Sequence, residues 1–286
     1  MAALEKKILA EIVGKAEDYE SAMTTQLAEV GEFADLYKVK KPQRKKGHFS
    51  NPRLTEFHRA CNALSTLIFR MMTARDPFFS AASVDMNVDY SQLAMLQDVH
   101  KAQLKHSKYK PNLLKACSFL LPFGTVICQE DYQVVGLSPF GRRIPTTVMI
   151  PRVLDQVFFD RATTDIDQAD WLATSDITSS HALMRMAGEV ETLRTPWNKK
   201  ALEAAAGDEE RANTINERVL QRLTRDGTDI TTAFKAKKEI LMYYGKIDAL
   251  NDSVEYVAAV VNRKYLVRFH ANKFQHGKRQ FRVRSG

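Results

Sequence analysis

The chain has only three cysteines in 286 residues, and they are far apart and odd in number. That leaves no disulfide framework, and no cluster with the short ligand spacing that a zinc site needs. Cys61, Cys117 and Cys128 each lie in an apolar segment, which predicts buried, reduced thiols in a cytoplasmic setting. Long apolar runs are also missing. No stretch reaches 18 apolar residues, so neither a spanning helix nor a membrane partner is expected. The N-terminal MAALEKKILAEIVGKAEDYE carries Glu5, Glu11, Glu17 and Glu20 among its apolar residues, which excludes a secretory h-region. Glycine is scarce, at 12 residues, and forms no phosphate loop of the GxxxxGKS/T or GxGxxG type. A GxSxG elbow and an HExxH pair are absent as well.

The titratable residues give no better sign of chemistry. The seven histidines (His48, His58, His100, His106, His181, His270 and His276) are scattered. His270 and His276 are six apart in a basic strand-like region, and His100 and His106 share a helical segment with lysines that reads as a solvated face. Asp160, Asp165, Asp167 and Asp170 form an acidic run without the alternating ligand pattern or the glycine of a calcium loop. The run reads as a solvated turn. No catalytic residue, no metal and no cofactor are expected, and the chain is not expected to be an enzyme.

What is present is a soluble, core-forming composition with a charge imbalance. Hydrophobic residues make up 44% and charged residues 27%, which suits one large domain or two smaller ones. The net charge is +8. From Val257 to Gly286 there is no Asp or Glu, while Arg263, Lys264, Arg268, Lys273, Lys278, Arg279, Arg282 and Arg284 fall in that span. These residues account for the whole imbalance. A second cluster is Lys38, Lys40, Lys41, Arg44, Lys45 and Lys46. Both segments are candidate contacts for DNA or for an acidic partner, because concentrated positive charge attracts a phosphate backbone. A solvated face accounts for the same pattern.

Periodicity predicts an α+β protein. Leu4, Ile8, Ile12, Ala16 and Tyr19 have helical spacing within a helical stretch over 3–30. A basic loop follows, then a helix opened by Asn51-Pro52 and stopped by Asp76-Pro77. A helix capped by Ser91 and another opened by Pro111 lead to the break at Pro122-Phe123-Gly124. Residues 125–175 form a small β region: strand, acidic turn and strand over 125–137, a turn over 138–143, then TTVMIP and VLDQVFF. Thr178 caps the next helix, Thr195-Pro196 starts another that Gly207 stops, and a long polar helix is expected over 208–244. The C-terminal segment alternates as strands, the first two forming a hairpin around Asn262-Arg263.

The order of these segments resembles the podovirus-type portal proteins, the head–tail connectors of tailed bacteriophages. The most specific stretch is PRVLDQVFFDRATTDIDQADW (151–171), an apolar strand followed by D-x-A, a spacer and an acid-rich Q-A-D-W. KYKPNLLKACSFLLPFGTVICQED resembles a helix followed by a G-x-x-I/V/L strand. KKEILMYYGKID is similar to E-x-Y/W-G-x-I/L-D, and YVAAVVNRKYLVRFHANKF to a strand–turn–strand ending N-P/K-F/Y. Arg161 stands where members commonly have proline, and Lys278-Arg279-Gln280-Phe281 where they have Pro-Phe.

The resemblance implies a helix-rich subunit with a wing-like region over 1–205, a stem-like helical segment over 206–245 and a clip-like basic β region over 246–286. A second stem helix and a crown would be missing from a chain of this length. It implies a homo-oligomeric ring, a dodecamer in the family's usual form, at a capsid vertex of the virion. That ring would be a conduit for double-stranded DNA in packaging and ejection, with terminase large subunit, major capsid protein and tail adaptor proteins as partners. Two other readings account for parts of the pattern. They are a ring adaptor of head–tail completion and a non-viral, sequence-independent nucleic-acid-binding protein.

Overall fold

A computed structural model describes residues 2–37, 56–75, 89–137, 143–162, 166, 169–193, 197–208, 237–272 and 281–285. Among these residues it contains helices and two antiparallel sheets, an α+β protein as expected. The chain divides into two compact units. One comprises 1–26 and 155–279; the other comprises 27–154 and 280–286.

The first unit is built on a five-stranded sheet. Its strands, in spatial order, are β3 (Val157–Phe159), β4 (Trp171–Ser179), β5 (Lys237–Gly245), β6 (Tyr256–Val261) and β7 (Tyr265–Ala271). Helix α1 (Ala2–Ala22) lies against one face. Its residues Ile8, Ile12, Ala16 and Tyr19 are buried with Phe158, Ala173, Leu241, Tyr243, Ala258 and Val260. Helices α6 (Ser180–Leu193) and α7 (Lys199–Gly207) cover the other face, where Leu183, Ala187, Leu202 and Ala205 meet Ile240, Ala259, Val261 and Val267. The strand period of two explains this division: Leu241 and Tyr243 face α1, while Ile240 faces the other layer.

Burial on both faces also explains a correction. The helix expected over 208–244 lies outside the described residues at 209–236, and its last part, 237–244, belongs to the central strand β5. A strand covered on both sides needs apolar residues at nearly every position, so EILMYY loses the alternation that marks a half-exposed strand. The stem-like segment therefore does not reach Tyr244. The strands β6 and β7 of the expected clip-like region extend this same sheet rather than forming a separate body. Trp171 opens strand β4, and α6 follows it directly, with the Ser179 hydroxyl rather than Thr178 accepting from the Ala182 amide at 3.1 Å.

The second unit contains most of α2 (Thr24–Tyr37), then α3 (Glu56–Met72), α4 (Tyr90–His106), α5 (Tyr109–Phe123) and a three-stranded sheet. That sheet has the order β2 (Arg143–Arg152), β1 (Thr125–Leu137), β8 (Phe281–Ser285). The expected acidic turn within 125–137 is absent. Glu130 and Asp131 sit in mid-strand opposite Met149 and Val148, because β1 pairs with β2 over almost its whole length. Asp89, not Ser91, caps α4, accepting the Ser91 amide at 3.1 Å. Pro111 stands in the first turn of α5, and Gly124 closes that helix at φ 69°. Leu113, Ala116, Val126 and Met149 form the buried centre. Cys61 and Cys117 are buried here, and burial raises both thiol pKa values. The loop at 38–46 and the Asn51-Pro52 cap lie outside the described residues.

Candidate nucleic-acid interface

The hairpin turn fixes the first of the sequence-derived contact residues. Val261 accepts the Lys264 amide at 3.0 Å, and Asn262 and Arg263 have φ of 50° and 56°. Positive φ at both central positions matches the twist of antiparallel strands. The asparagine tolerates this, and its side-chain carbonyl accepts the Glu239 amide at 3.2 Å.

This geometry turns Arg263 inward, away from any open contact surface. Its Nη2 donates to Glu20 at 2.7 Å and Nη1 to the same carboxylate at 3.1 Å, a bidentate pair with α1. Nε donates to Glu239 at 3.2 Å, and Glu17 lies at 3.7 Å. The side chain is 12% exposed. Burial disfavours the guanidinium, but the Glu239 charge and the Glu20 bond outweigh it and raise the pKa. The Ser175 hydroxyl donates to Glu239 at 2.8 Å and completes the cluster. Arg263 thus joins α1, β4, β5 and the β6–β7 turn, and its charge is neutralised within the protein.

Its neighbours in the basic run are also engaged. Lys264 pairs with Asp208 at 3.0 Å, and Tyr265 donates to that carboxylate at 2.9 Å. The Lys264 bond holds the Asp208 carboxyl below the usual carboxylate range. Lys238, 1% exposed, donates to the Asp208 backbone carbonyl. Arg268 sits over the Trp197 ring, 5.3 Å from its centre, and its Nε donates to His270 Nε2 at 2.9 Å. Arg282 and Arg284 lie on β8 opposite Cys128 and Val126. Lys273, Lys278, Arg279, Lys40, Lys41, Arg44, Lys45 and Lys46 lie outside the described residues.

A second polar network fixes the middle of α1. Glu11 accepts the Asp248 and Ala249 amides at 2.8 and 2.9 Å, capping a 3-10 turn at 248–250 from a distant helix. Lys15 donates to Glu11 at 2.6 Å and pairs with Asp248 at 3.2 Å. Burial pushes the Tyr243 phenol up to about 12, and its hydroxyl donates to the Lys246 carbonyl at 2.6 Å. Lys246 pairs with Asp170 at 3.1 Å, so that member of the acidic run serves the fold. Asp160 accepts the Ala162 amide at 3.0 Å in a local turn. Asp165 and Asp167 lie outside the described residues.

Among the described residues no group of three His, Cys, Asp or Glu side chains could hold a metal ion, and no helix is long and apolar enough to cross a membrane. The second unit carries a further set of lysines, on α4 and α5. Lys101, Lys105, Lys108, Lys110 and Lys115 are all exposed. The available signal was the absence of Asp and Glu between Val99 and Gln129, as long a gap as the one at the C-terminus. No protein-family model matches the chain, and a search of the curated proteins finds no match.

Proposed function

We propose that the chain is a subunit of a bacteriophage portal, a ring at a capsid vertex that conducts double-stranded DNA and docks the packaging motor and the tail. One observation carries this reading. Three of the four segments that resemble the family (151–171, 237–248 and 256–274) are separated in sequence, yet their described residues supply β3, the first residue of β4, and β5, β6 and β7 of one sheet, while the fourth, 108–131, forms α5 and the start of β1 in the other unit. Separate motifs that converge on one sheet support the resemblance.

The surface is consistent with assembly. Phe57, Leu64, Leu67, Met71 and Met72 on α3, and Met95, Leu96 and Val99 on α4, are exposed large apolar residues. Concentrations of this kind are uncommon on proteins that act alone. A closed ring joins one face to a different face of the next copy, so such surfaces become buried. A conduit needs no base readout, in keeping with the absence of a groove-reading motif.

The test is imaging and mass measurement of the purified chain. A portal subunit gives closed rings of uniform size. A ring adaptor of mostly helical build accounts less well for two antiparallel sheets. A nucleic-acid-binding protein of another kind gives a monomer or dimer that retards duplex DNA at low salt.

A further inference from the structure

The α4–α5 corner carries positive charge that the fold itself does not use. Lys101 and Lys105 are four residues apart on α4, so they stand on one side of the helix about 6 Å apart along its axis. Lys108 follows across the turn in the left-handed region, at φ 53°. The corner is held firmly. The buried Ser107 donates its amide to Gln103 at 2.8 Å and its hydroxyl to Leu104 at 3.1 Å, and the Lys108 amide donates to Lys105 at 3.3 Å. Among the described residues, no carboxylate pairs with Lys101, Lys105 or Lys108.

Local stability accounts for Lys105 but not for Lys101 or Lys108. Lys105 and His106 suit the negative end of α4, where cations are favoured. Lys101 stands a turn earlier. Lys108 stands at the positive end of α5, where a cation is unfavourable. That end has no acidic residue in its first turn and no side-chain cap. A positive field built where the helix opposes it points to an anionic partner.

We propose that the α4–α5 corner is a contact surface for the phosphate backbone of nucleic acid, without base readout. The partner class is that of the proposed function, but the argument needs only the charge and geometry of this corner. The residue type decides between nucleic acid and an acidic protein. Protein interfaces are depleted in lysine and enriched in arginine, whose fork matches a carboxylate. Here every cation of the run is lysine, a flexible point charge suited to successive phosphates.

The test measures binding of the full chain to a duplex of about 30 base pairs, from roughly 50 to 200 mM salt, by fluorescence anisotropy. The variant Lys101→Ala/Lys105→Ala/Lys108→Ala is compared with Lys6→Ala/Lys7→Ala/Lys200→Ala, which removes equal charge from exposed positions on α1 and α7. If three phosphate contacts are lost, the slope of log K against log salt becomes shallower by about 2–3 in the first variant and stays unchanged in the second. The same change in both variants, no change in either, or no binding by the wild type overturns the proposal. A Lys→Gln triple at the same three positions gives the reading should the alanine triple lose its helical circular dichroism. Ring formation with an unchanged slope would sink this proposal and spare the portal reading; a changed slope on a strict monomer would do the reverse.

Discussion

Replacing Arg263 with methionine tests the claim that this arginine holds α1 on the sheet. The substitution keeps much of the apolar stem but leaves Glu20 and Glu239 facing one another, with side chains 13% and 7% exposed. Removing one partner of a buried charge cluster typically costs about 3–5 kcal/mol, because the remaining charge stays desolvated. For a unit of about 150 residues this lowers the melting temperature by roughly 6–20 °C. Urea unfolding followed by far-ultraviolet circular dichroism gives the free energy. Neutralising the partners as well, in Glu20→Gln/Glu239→Gln/Arg263→Met, should recover most of the loss. A loss under about 1 kcal/mol, or a triple variant no more stable than the single one, would refute the reasoning.

Three further outcomes follow from the same unit. Gly245→Ala should destabilise by about 2–4 kcal/mol, since φ is 153° and a Cβ would stand 2.6 Å from both the Asp170 carbonyl oxygen and the Trp171 Cα; wild-type-like thermal unfolding would contradict this. Glu11→Gln weakens the bonds to the Asp248 and Ala249 amides and removes the charge pair with Lys15. The expected loss is about 1–2 kcal/mol, and combining it with Lys15→Met should be less than additive in urea titrations. Stability should also fall at both pH extremes. Despite partial burial, the Lys15 bond and the two backbone amides lower Glu11, while the Lys264 bond lowers Asp208. The unfolded chain therefore binds their protons first, and their contribution is lost as pH drops below about 4.5. Burial raises Tyr243 to about 12, so its contribution is lost as pH rises from about 10 towards that value. A pH-independent unfolding free energy across either window would contradict these assignments.

Elements set by local rules were readable in the sequence. Asn262-Arg263 flanked by apolar runs announced its hairpin, because few residues accept positive φ. The helical spacing of Ile8, Ile12, Ala16 and Tyr19 named the face of α1 that is buried. Elements set by tertiary cover were not readable. Strand β5 is apolar from Ile240 to Tyr244 because helices lie on both of its faces, and a continuous apolar run fits a helix as easily as a strand. Glu130 and Asp131 suggested a turn, but pairing with β2 carries the strand through them. The basic run at the C-terminus was visible as charge, while its fate was not. Glu20 lies far from Arg263 in sequence, and only the packing of α1 brings them together. The lysines of α4 and α5 were hidden for the opposite reason, since a helical lysine is usually a solvated surface residue.

The central claim is assembly into a portal ring, and the mass of the purified full chain in solution tests it most directly. Mass photometry joined to negative-stain imaging should show closed rings of one size, about twelve subunits, with a central opening. A species that stays monomeric at every concentration, with no ring in any field, would contradict the account.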